Sequence, residues 1–301
     1  MNQTNIKHFT FYLRKMMKFY DLKVQGVPQA LFLLLLAASF GIHVLLLPYA
    51  DELTIYHQQT MVSLQSVLSQ HPFGSQEAVD GITAIIQSEE YAQLISLMVK
   101  LLGFIFLQQA IIILLLFFYL GSYMVDLENE HPTFSQYFKK FVKALPRFIA
   151  FNILFYLCAG VLFLIITFIS SFAAMIFPLL VFVIVLIPIG WFAVQVLFIF
   201  KDTVFLDTGV GVFGTFSVSL KLSSGYRIMI GMNIFFVTVL NWTIRLISAR
   251  LVSGSNNVLI LMFVISFVEI IVLLIRQRLT ALMYIDRTRV EKHGPKEIDR
   301  L

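Results

Sequence analysis

Four polar side chains interrupt stretches of the sequence that are otherwise apolar. Glu269 is the only carboxylate inside such a stretch, and Asn152, Gln195 and Asn233 lie at comparable depth in three others. If these stretches cross a membrane, a charge at the centre of one costs about 2.5–3.5 kcal/mol, and less near the interface. The four residues could form one polar layer that binds a lipid headgroup, a cation or a proton, with Glu269 as its charge. Alternatively, Glu269 is protonated or extends toward Arg276, and the amides join helices by hydrogen bonds.

Recognisable catalytic motifs are absent from the sequence. It contains no phosphate-binding loop ending in Gly-Lys-Ser/Thr, no Gly-x-Ser-x-Gly turn, no His-Glu-x-x-His and no Cys-x-x-Cys. The run GVGVFG at 209–214 is rich in glycine, but it follows an apolar stretch rather than a strand, so it is not a dinucleotide-binding turn. We therefore predict no catalytic activity, no cofactor and no metal site.

The composition places the polar residues in a membrane. Hydrophobic residues make up 59% of the 301 positions and charged residues 13%, whereas a soluble domain has about 45–50% and 25%. The apolar residues are clustered in blocks of about the 20 residues that a transmembrane helix needs. Six such blocks are predicted to span: 27–49, 101–121, 148–169, 174–200, 228–247 and 258–275.

The positive charges fall on one side of these six spans. When the connecting segments are assigned to alternate sides, 19 of the 22 Lys and Arg residues lie on the side of both termini. The opposite loop at 51–98 has six carboxylates and no Lys or Arg. By the positive-inside rule, both termini are predicted to be cytoplasmic. The membrane is predicted to be a plasma membrane. The same distribution argues against nucleic-acid binding, because no basic groove is formed.

Three segments on the predicted cytoplasmic side resemble one another, and each precedes an outward span. These interfacial segments are 1–26, 132–147 and 207–227. The similar stretch begins at Thr133 in the second segment and at Thr215 in the third, and these two residues are 82 positions apart. The repeat predicts an all-α polytopic protein with six transmembrane helices, arranged as three hairpins that each follow an interfacial helix. We treat 1–301 as a single membrane domain with a basic cytoplasmic tail at 276–301.

The interfacial segments combine apolar residues at helical spacing with basic residues. Such helices lie in the headgroup plane, and each cation contributes about 1 kcal/mol of attraction to an anionic leaflet. A simpler interpretation, that they are ordinary cytoplasmic connectors, stays open. The predicted contacts with anionic lipid are Arg14, Lys15, Lys18, Lys139, Lys140, Lys143, Lys221 and Arg227.

The third interfacial segment carries the spacing Ser-x-x-Leu-x-x-Gly. Ser219, Leu222 and Gly225 form it, with Asp207 upstream and Arg227 just before the span. This motif, together with the helix count, resembles a loose group of bacterial six-helix membrane proteins that includes the membrane domain of some glycerophosphodiester phosphodiesterases. The resemblance covers 201–236 and implies an architecture rather than a reaction, since this chain has no soluble phosphodiesterase domain and has an enlarged outer loop.

Two classes of function follow from these features. The first is a non-enzymatic accessory or assembly protein that holds anionic lipid and meets a protein partner through the 51–98 loop. That loop is predicted to contain two helices, at 52–70 and 75–90. The second is a small transporter or lipid-handling permease that uses the polar layer around Glu269 and a fourth span bent at Pro178 and Pro188.

Overall fold

The computed structural model of the chain describes residues 6–72, 74–176, 182–252 and 257–288. It is 86% helical, and no strand occurs in the residues it describes. Six of its helical segments are long and apolar enough to cross a membrane. The protein is therefore an all-α, multi-pass membrane protein, as the sequence predicts.

Ten helices occur in the described residues. They are α1 (Phe9–Met16), α2 (Val27–Gln70), α3 (Gln76–Ile86), α4 (Glu89–Glu128), α5 (Phe134–Ile176), α6 (Phe182–Leu197), α7 (Lys201–Asp207), α8 (Val212–Ser223), α9 (Arg227–Val252) and α10 (Val258–Thr288).

The chain divides into two compact units. Unit 1 consists of Met1–Leu31, Leu116–Ile247 and Ile271–Leu301, and unit 2 consists of Phe32–Leu115 and Ser248–Ile270. Helices α2, α4, α9 and α10 each begin in one unit and end in the other. Unit 1 holds all three interfacial segments, whereas unit 2 holds the 51–98 loop.

The first and third interfacial segments share a local design. Each contains a short helix, α1 or α8, and each enters its span through a glycine with positive φ: Gly26 at 82° before α2 and Gly225 at 83° before α9. Positive φ is strained for residues with a side chain, so these two positions favour glycine. The second segment differs, because α5 runs without a break through Pro146 into its span. The first and third interfacial segments are therefore structurally similar, whereas in the second segment the interfacial helix and the span form one continuous helix.

The helices of the outer loop differ from those predicted. Instead of a span ending near 49 and a separate helix at 52–70, α2 is one helix from Val27 to Gln70, about 66 Å long at 1.5 Å per residue. The change to polar residues at Asp51 ends the apolar stretch but not the helix, and Pro48 removes only one backbone donor. For α3 the start of the helix predicted at 75–90 is correct, because Ser75 is the N-cap and its hydroxyl accepts from the Ala78 amide at 3.2 Å. The predicted end is wrong, since α3 ends at Ile86 and α4 begins at Glu89.

The fourth and sixth spans differ in extent from the predicted ranges. Pro178 lies outside the described residues, and the fourth candidate span runs from Pro188 to Asp207. Helix α10 continues to Thr288, well beyond the predicted end of the sixth span at 275. Residues 289–301 of the basic tail lie outside the described residues.

An aromatic core positions the helices of unit 1. Phe148 of α5 stacks on Phe117 of α4 with 3.8 Å between ring centroids, and Phe151 lies 5.2 Å from Phe205 of α7 and 4.4 Å from Phe216 of α8. Such ring pairs contribute about 0.5–1.5 kcal/mol each beyond the burial of their surface. The start of α5 is therefore fixed against α4, α7 and α8.

Candidate functional site

Three tyrosine–aspartate hydrogen bonds, here called the Tyr–Asp pairs, connect elements of unit 1. Each aspartate lies at the C-terminal end of α4, α7 or α10, or within two residues of it. Each carboxylate accepts a hydrogen bond from a phenol of another helix. The pairs are Tyr137 with Asp126 Oδ1, Tyr284 with Asp207 Oδ2 at 2.7 Å, and Tyr12 with Asp286 Oδ2 at 2.7 Å.

Asp126 is the most buried of the three aspartates, with 6% of its surface exposed. Besides the Tyr137 phenol, its carboxylate accepts from the backbone amide of Lys23 at 2.9 Å. The Lys23 ammonium donates to the carbonyls of Asp126 and Asn129 at 2.6 and 2.5 Å. The end of α4 thus binds both the first and the second interfacial segment through charge-assisted hydrogen bonds.

Arg278 holds the turn that follows α1. Its guanidinium, 6% exposed, donates to the carbonyl of Asp21 at 3.0 Å and also to that of Lys18. It lies 4.1 Å from the centre of the Tyr123 ring, a cation–π geometry. A cation that the sequence assigns to the basic tail is therefore buried and structural.

Tyr12 fixes α1 to the end of α10. The side chain is 1% exposed, donates to Asp286 and accepts from the Lys7 amide at 3.1 Å. Burial, together with the neighbouring Asp286 carboxylate, raises the pKa of the Tyr12 phenol above its ordinary value. The phenol therefore remains a hydrogen-bond donor throughout the physiological pH range.

The three predicted polar-layer amides each bond to a different partner. Asn152 accepts from the Lys201 ammonium at 3.3 Å, Gln195 accepts from Arg276 at 2.8 Å, and Asn233 donates to the Lys7 carbonyl at 3.1 Å. All three lie in unit 1 and link separate elements, which agrees with the interpretation that amides join helices.

Glu269 is half-buried in α10 and belongs to unit 2. A single layer that includes all four residues remains a prediction.

Lys201 occupies an apolar setting. Its ammonium forms an ion pair with Asp202 at 2.6 Å and lies 5.7–5.9 Å from the centres of three phenylalanine rings of α5. Only 17% of its side chain is exposed. Ring faces and a carboxylate offset the cost of burying this cation.

Most of the predicted lipid contacts are exposed. Lys140 is the exception, because it is half-buried and paired with Glu128 at 2.8 Å. The Glu128 carboxylate therefore neutralises the lysine. The exposed cations are Arg14, Lys15, Lys18, Lys139, Lys143, Lys221 and Arg227.

Unit 2 contains separate polar contacts. Gln108, 5% exposed, donates to the Ser39 carbonyl at 3.3 Å, and His43 Nδ1 lies 3.0 Å from the Ser266 hydroxyl. These groups join helices within the apolar part of the unit. Among the described residues, no three or more His, Cys, Asp or Glu side chains are grouped so that they could hold a metal ion.

The Tyr–Asp pairs are the feature that the sequence-based interpretation misses. A signal for them exists, because Asp126, Asp207 and Asp286 stand 81 and 79 positions apart, close to the 82-residue repeat of the interfacial segments. Each ends a returning helix of the predicted hairpins. The tyrosines show no such regular spacing, since Tyr284 comes from α10 rather than from an interfacial segment.

Comparison of the chain with protein-family models, curated proteins and solved structures gives no match. The resemblance of Ser219, Leu222 and Gly225 to the six-helix group therefore stays a prediction. In the structure, the Ser219 hydroxyl is fully buried and Gly225 has positive φ. Both residues thus have local structural roles in this protein.

Proposed function

We propose that this protein is a non-enzymatic integral membrane protein that binds anionic lipid through its interfacial segments and acts as an accessory or assembly protein. In this proposal both termini are cytoplasmic and the membrane is a bacterial plasma membrane. The distribution of 19 of 22 Lys and Arg residues on the side of the termini supports that orientation.

The observation that carries the proposal is the two-sided character of the second interfacial segment. One face of α5 is buried in the protein at Tyr137 and Ala144. Another face leaves Phe134, Phe138 and Val142 between 45% and 54% exposed. Large apolar side chains at one-turn spacing suit the boundary between headgroups and acyl chains.

Exposed cations accompany these apolar side chains. Lys139 and Lys143 are exposed on the same helix, and Arg14, Lys15 and Lys18 are exposed around α1. Near an anionic leaflet each cation contributes about 1 kcal/mol, and the attraction falls off within a Debye length. The combination favours lipids such as phosphatidylglycerol over zwitterionic lipids.

The 51–98 loop supplies the second part of the proposal, a protein partner on the other side. The helices there expose apolar side chains, including Val62 at 65% and Ile86 at 54%. Gln58 and Gln65 lie among the residues that line a shallow groove on α2. Exposed apolar surface of this kind on a loop outside the membrane is typical of docking surfaces.

The lipid-binding part is tested with the full-length protein in vesicles of phosphatidylglycerol and phosphatidylcholine. Replacing Arg14, Lys15 and Lys18 by Gln removes three exposed cations. We expect the enrichment of spin-labelled phosphatidylglycerol around the protein to fall by up to about fivefold for each cation near the leaflet, because about 1 kcal/mol per cation is lost. The fall should be smaller at high salt. Lys100→Gln, the matched control at the other end of the spans, should leave it unchanged. Equal enrichment in all three proteins would refute this part of the proposal.

A further inference from the structure

A small cavity in unit 1 lies between the start of α5 and the segment that follows α7. Its volume is about 200 Å³, smaller than the roughly 300–1,000 Å³ of sites for drug-sized ligands. The end of α7, together with Thr208 and Gly209, the first residue of the glycine-rich run, forms one of its walls. The residues that carry the argument are Lys140, Lys143, Arg147, Asp207, Thr208 and Gly209.

The α5 wall of the cavity is cationic. Lys140, Lys143 and Arg147 follow one another at spacings of three and four, which places them on one face of the helix. Glu128 neutralises Lys140 at 2.8 Å, whereas Lys143 and Arg147 form no ion pair among the described residues. Like charges one turn apart destabilise a helix by a few tenths of a kcal/mol. An anion between them would remove this repulsion.

The loop wall holds Arg147 in place. One terminal nitrogen of the guanidinium, Nη1, donates to the carbonyls of Thr208 at 3.3 Å and Val210 at 3.2 Å. The other terminal nitrogen and Nε are not used in these contacts, and together they form the edge that binds an oxyanion in a bidentate manner. The guanidinium is therefore oriented before any ligand arrives.

The one carboxylate in the cavity wall is already engaged. Asp207 Oδ2 accepts from the Tyr284 phenol at 2.7 Å. This hydrogen bond gives the carboxylate a donor within the protein. The carboxylate keeps its charge in this hydrogen bond, but the cavity wall also holds Lys143 and Arg147, and neither forms an ion pair among the described residues.

We propose that this cavity binds one phosphate group between Lys143 and Arg147. The phosphate is that of a lipid headgroup or of free inorganic phosphate, and the lipid case rests on the proposed function. Arg147 immediately precedes the third span predicted from the sequence, 148–169, which in that topology puts it next to the lipid headgroups. The exposed cations attract anionic lipid over a wide surface and without a fixed number of lipids. The cavity, by contrast, is a saturable site that binds one phosphate per chain.

The test uses the full-length protein in a neutral detergent. Native mass spectrometry titrates phosphatidic acid, phosphatidylcholine and inorganic phosphate in separate arms, and counts bound molecules per chain. The variants are Lys143→Gln, which has no hydrogen bond within the described protein to lose, and Arg147→Lys, which keeps the charge but removes the fork. Lys100→Gln is the control, because Lys100 is exposed, does not line the cavity and is not one of the predicted lipid contacts.

We expect one tightly bound phosphatidic acid per chain. Lys143→Gln and Arg147→Lys should each weaken this binding by about 10-fold or more, because each variant loses a hydrogen bond to a charged group. Lys100→Gln should change it less than about 2-fold. Competition by inorganic phosphate would support the site and identify phosphate itself as a ligand; binding of phosphatidic acid alone would support the lipid headgroup. Phosphatidylcholine should bind at least 10-fold more weakly.

The proposal is overturned if no arm shows saturable binding, or if both cavity variants bind as the wild-type protein does. The outcome is separable from that of the proposed function. Loss of general enrichment for anionic lipid is read from the variant with Arg14, Lys15 and Lys18 replaced, and these residues are remote from the cavity in sequence and absent from its walls.

Discussion

The hydrogen bond between Tyr137 and Asp126 offers the sharpest test of the fold. Tyr137→Phe removes one hydroxyl from a fully buried side chain and leaves the ring in place. The buried Asp126 carboxylate then keeps the Lys23 amide but loses its phenol donor. Loss of a hydrogen bond to a charged group costs about 1.5–3 kcal/mol, and at about 2–4 °C per kcal/mol the transition temperature should fall by roughly 3–12 °C.

Scanning calorimetry of the purified full-length protein in detergent measures this shift. Tyr156→Phe is the matched control, since Tyr156 is 48% exposed on the same helix. Tyr284→Phe should have a smaller effect than Tyr137→Phe, because its partner Asp207 is exposed whereas Asp126 is buried. A double-mutant cycle that combines Tyr137→Phe with Asp126→Asn should show an energetic coupling between Tyr137 and Asp126. If Tyr137→Phe matches the Tyr156→Phe control, the hydrogen bond does not stabilise the protein and the reasoning fails.

Three further outcomes are expected. A Cβ at Gly81 would lie 2.7 Å from Val67 Cγ1, so Gly81→Ala should destabilise the outer loop by about 1–3 kcal/mol through overpacking; Val67→Ala should restore its protease resistance, and no rescue would argue against the contact. The pKa of Tyr12 is raised in the folded protein, so the stabilisation by this phenol is complete below the unfolded-state pKa of about 10 and is lost as the pH rises above that value. A Tyr12→Phe variant should therefore lose less stability than the wild-type protein between about pH 9 and 11. Parallel pH profiles of stability for the two proteins would contradict this. If the transporter alternative holds, Glu269→Gln should abolish uptake or efflux while the protein stays folded; unchanged activity would remove Glu269 from the mechanism.

The sequence predicts the fold class and misplaces several helix ends, for one physical reason. Hydropathy reports where a helix leaves the apolar phase, and α2 continues past that point to Gln70 because its polar part still favours helix. The start of α3, by contrast, is placed correctly, because the Ser75 N-cap is a local signal in the sequence. A helix start marked by a local cap is readable from the sequence, whereas hydropathy locates the boundary of the apolar stretch and not the end of a helix that continues beyond it.

The candidate site is less predictable than the fold. Exposure of Lys143 follows from its helical position, but the burial of Arg278 and Lys201 does not, because both depend on which aromatic rings surround them in three dimensions. The partners of Asn152 and Gln195 are likewise cations from other helices. A single sequence shows the depth of such residues but not the direction in which they face.

The contact between Tyr12 and Asp286 joins residues 274 positions apart, and this separation has a consequence for biosynthesis. At roughly 5–20 residues per second, a ribosome that has made α1 needs about 14 to 55 s more to reach Asp286. During that time the phenol of Tyr12 lacks its final acceptor in α10. Helix α1 can already pack on α9, where Phe9 stacks on Phe236 with 5.3 Å between ring centroids, but its hydrogen bond to α10 forms only when the last helix is complete. A chain truncated before Asp286 would keep the stacking contact and lose the hydrogen bond.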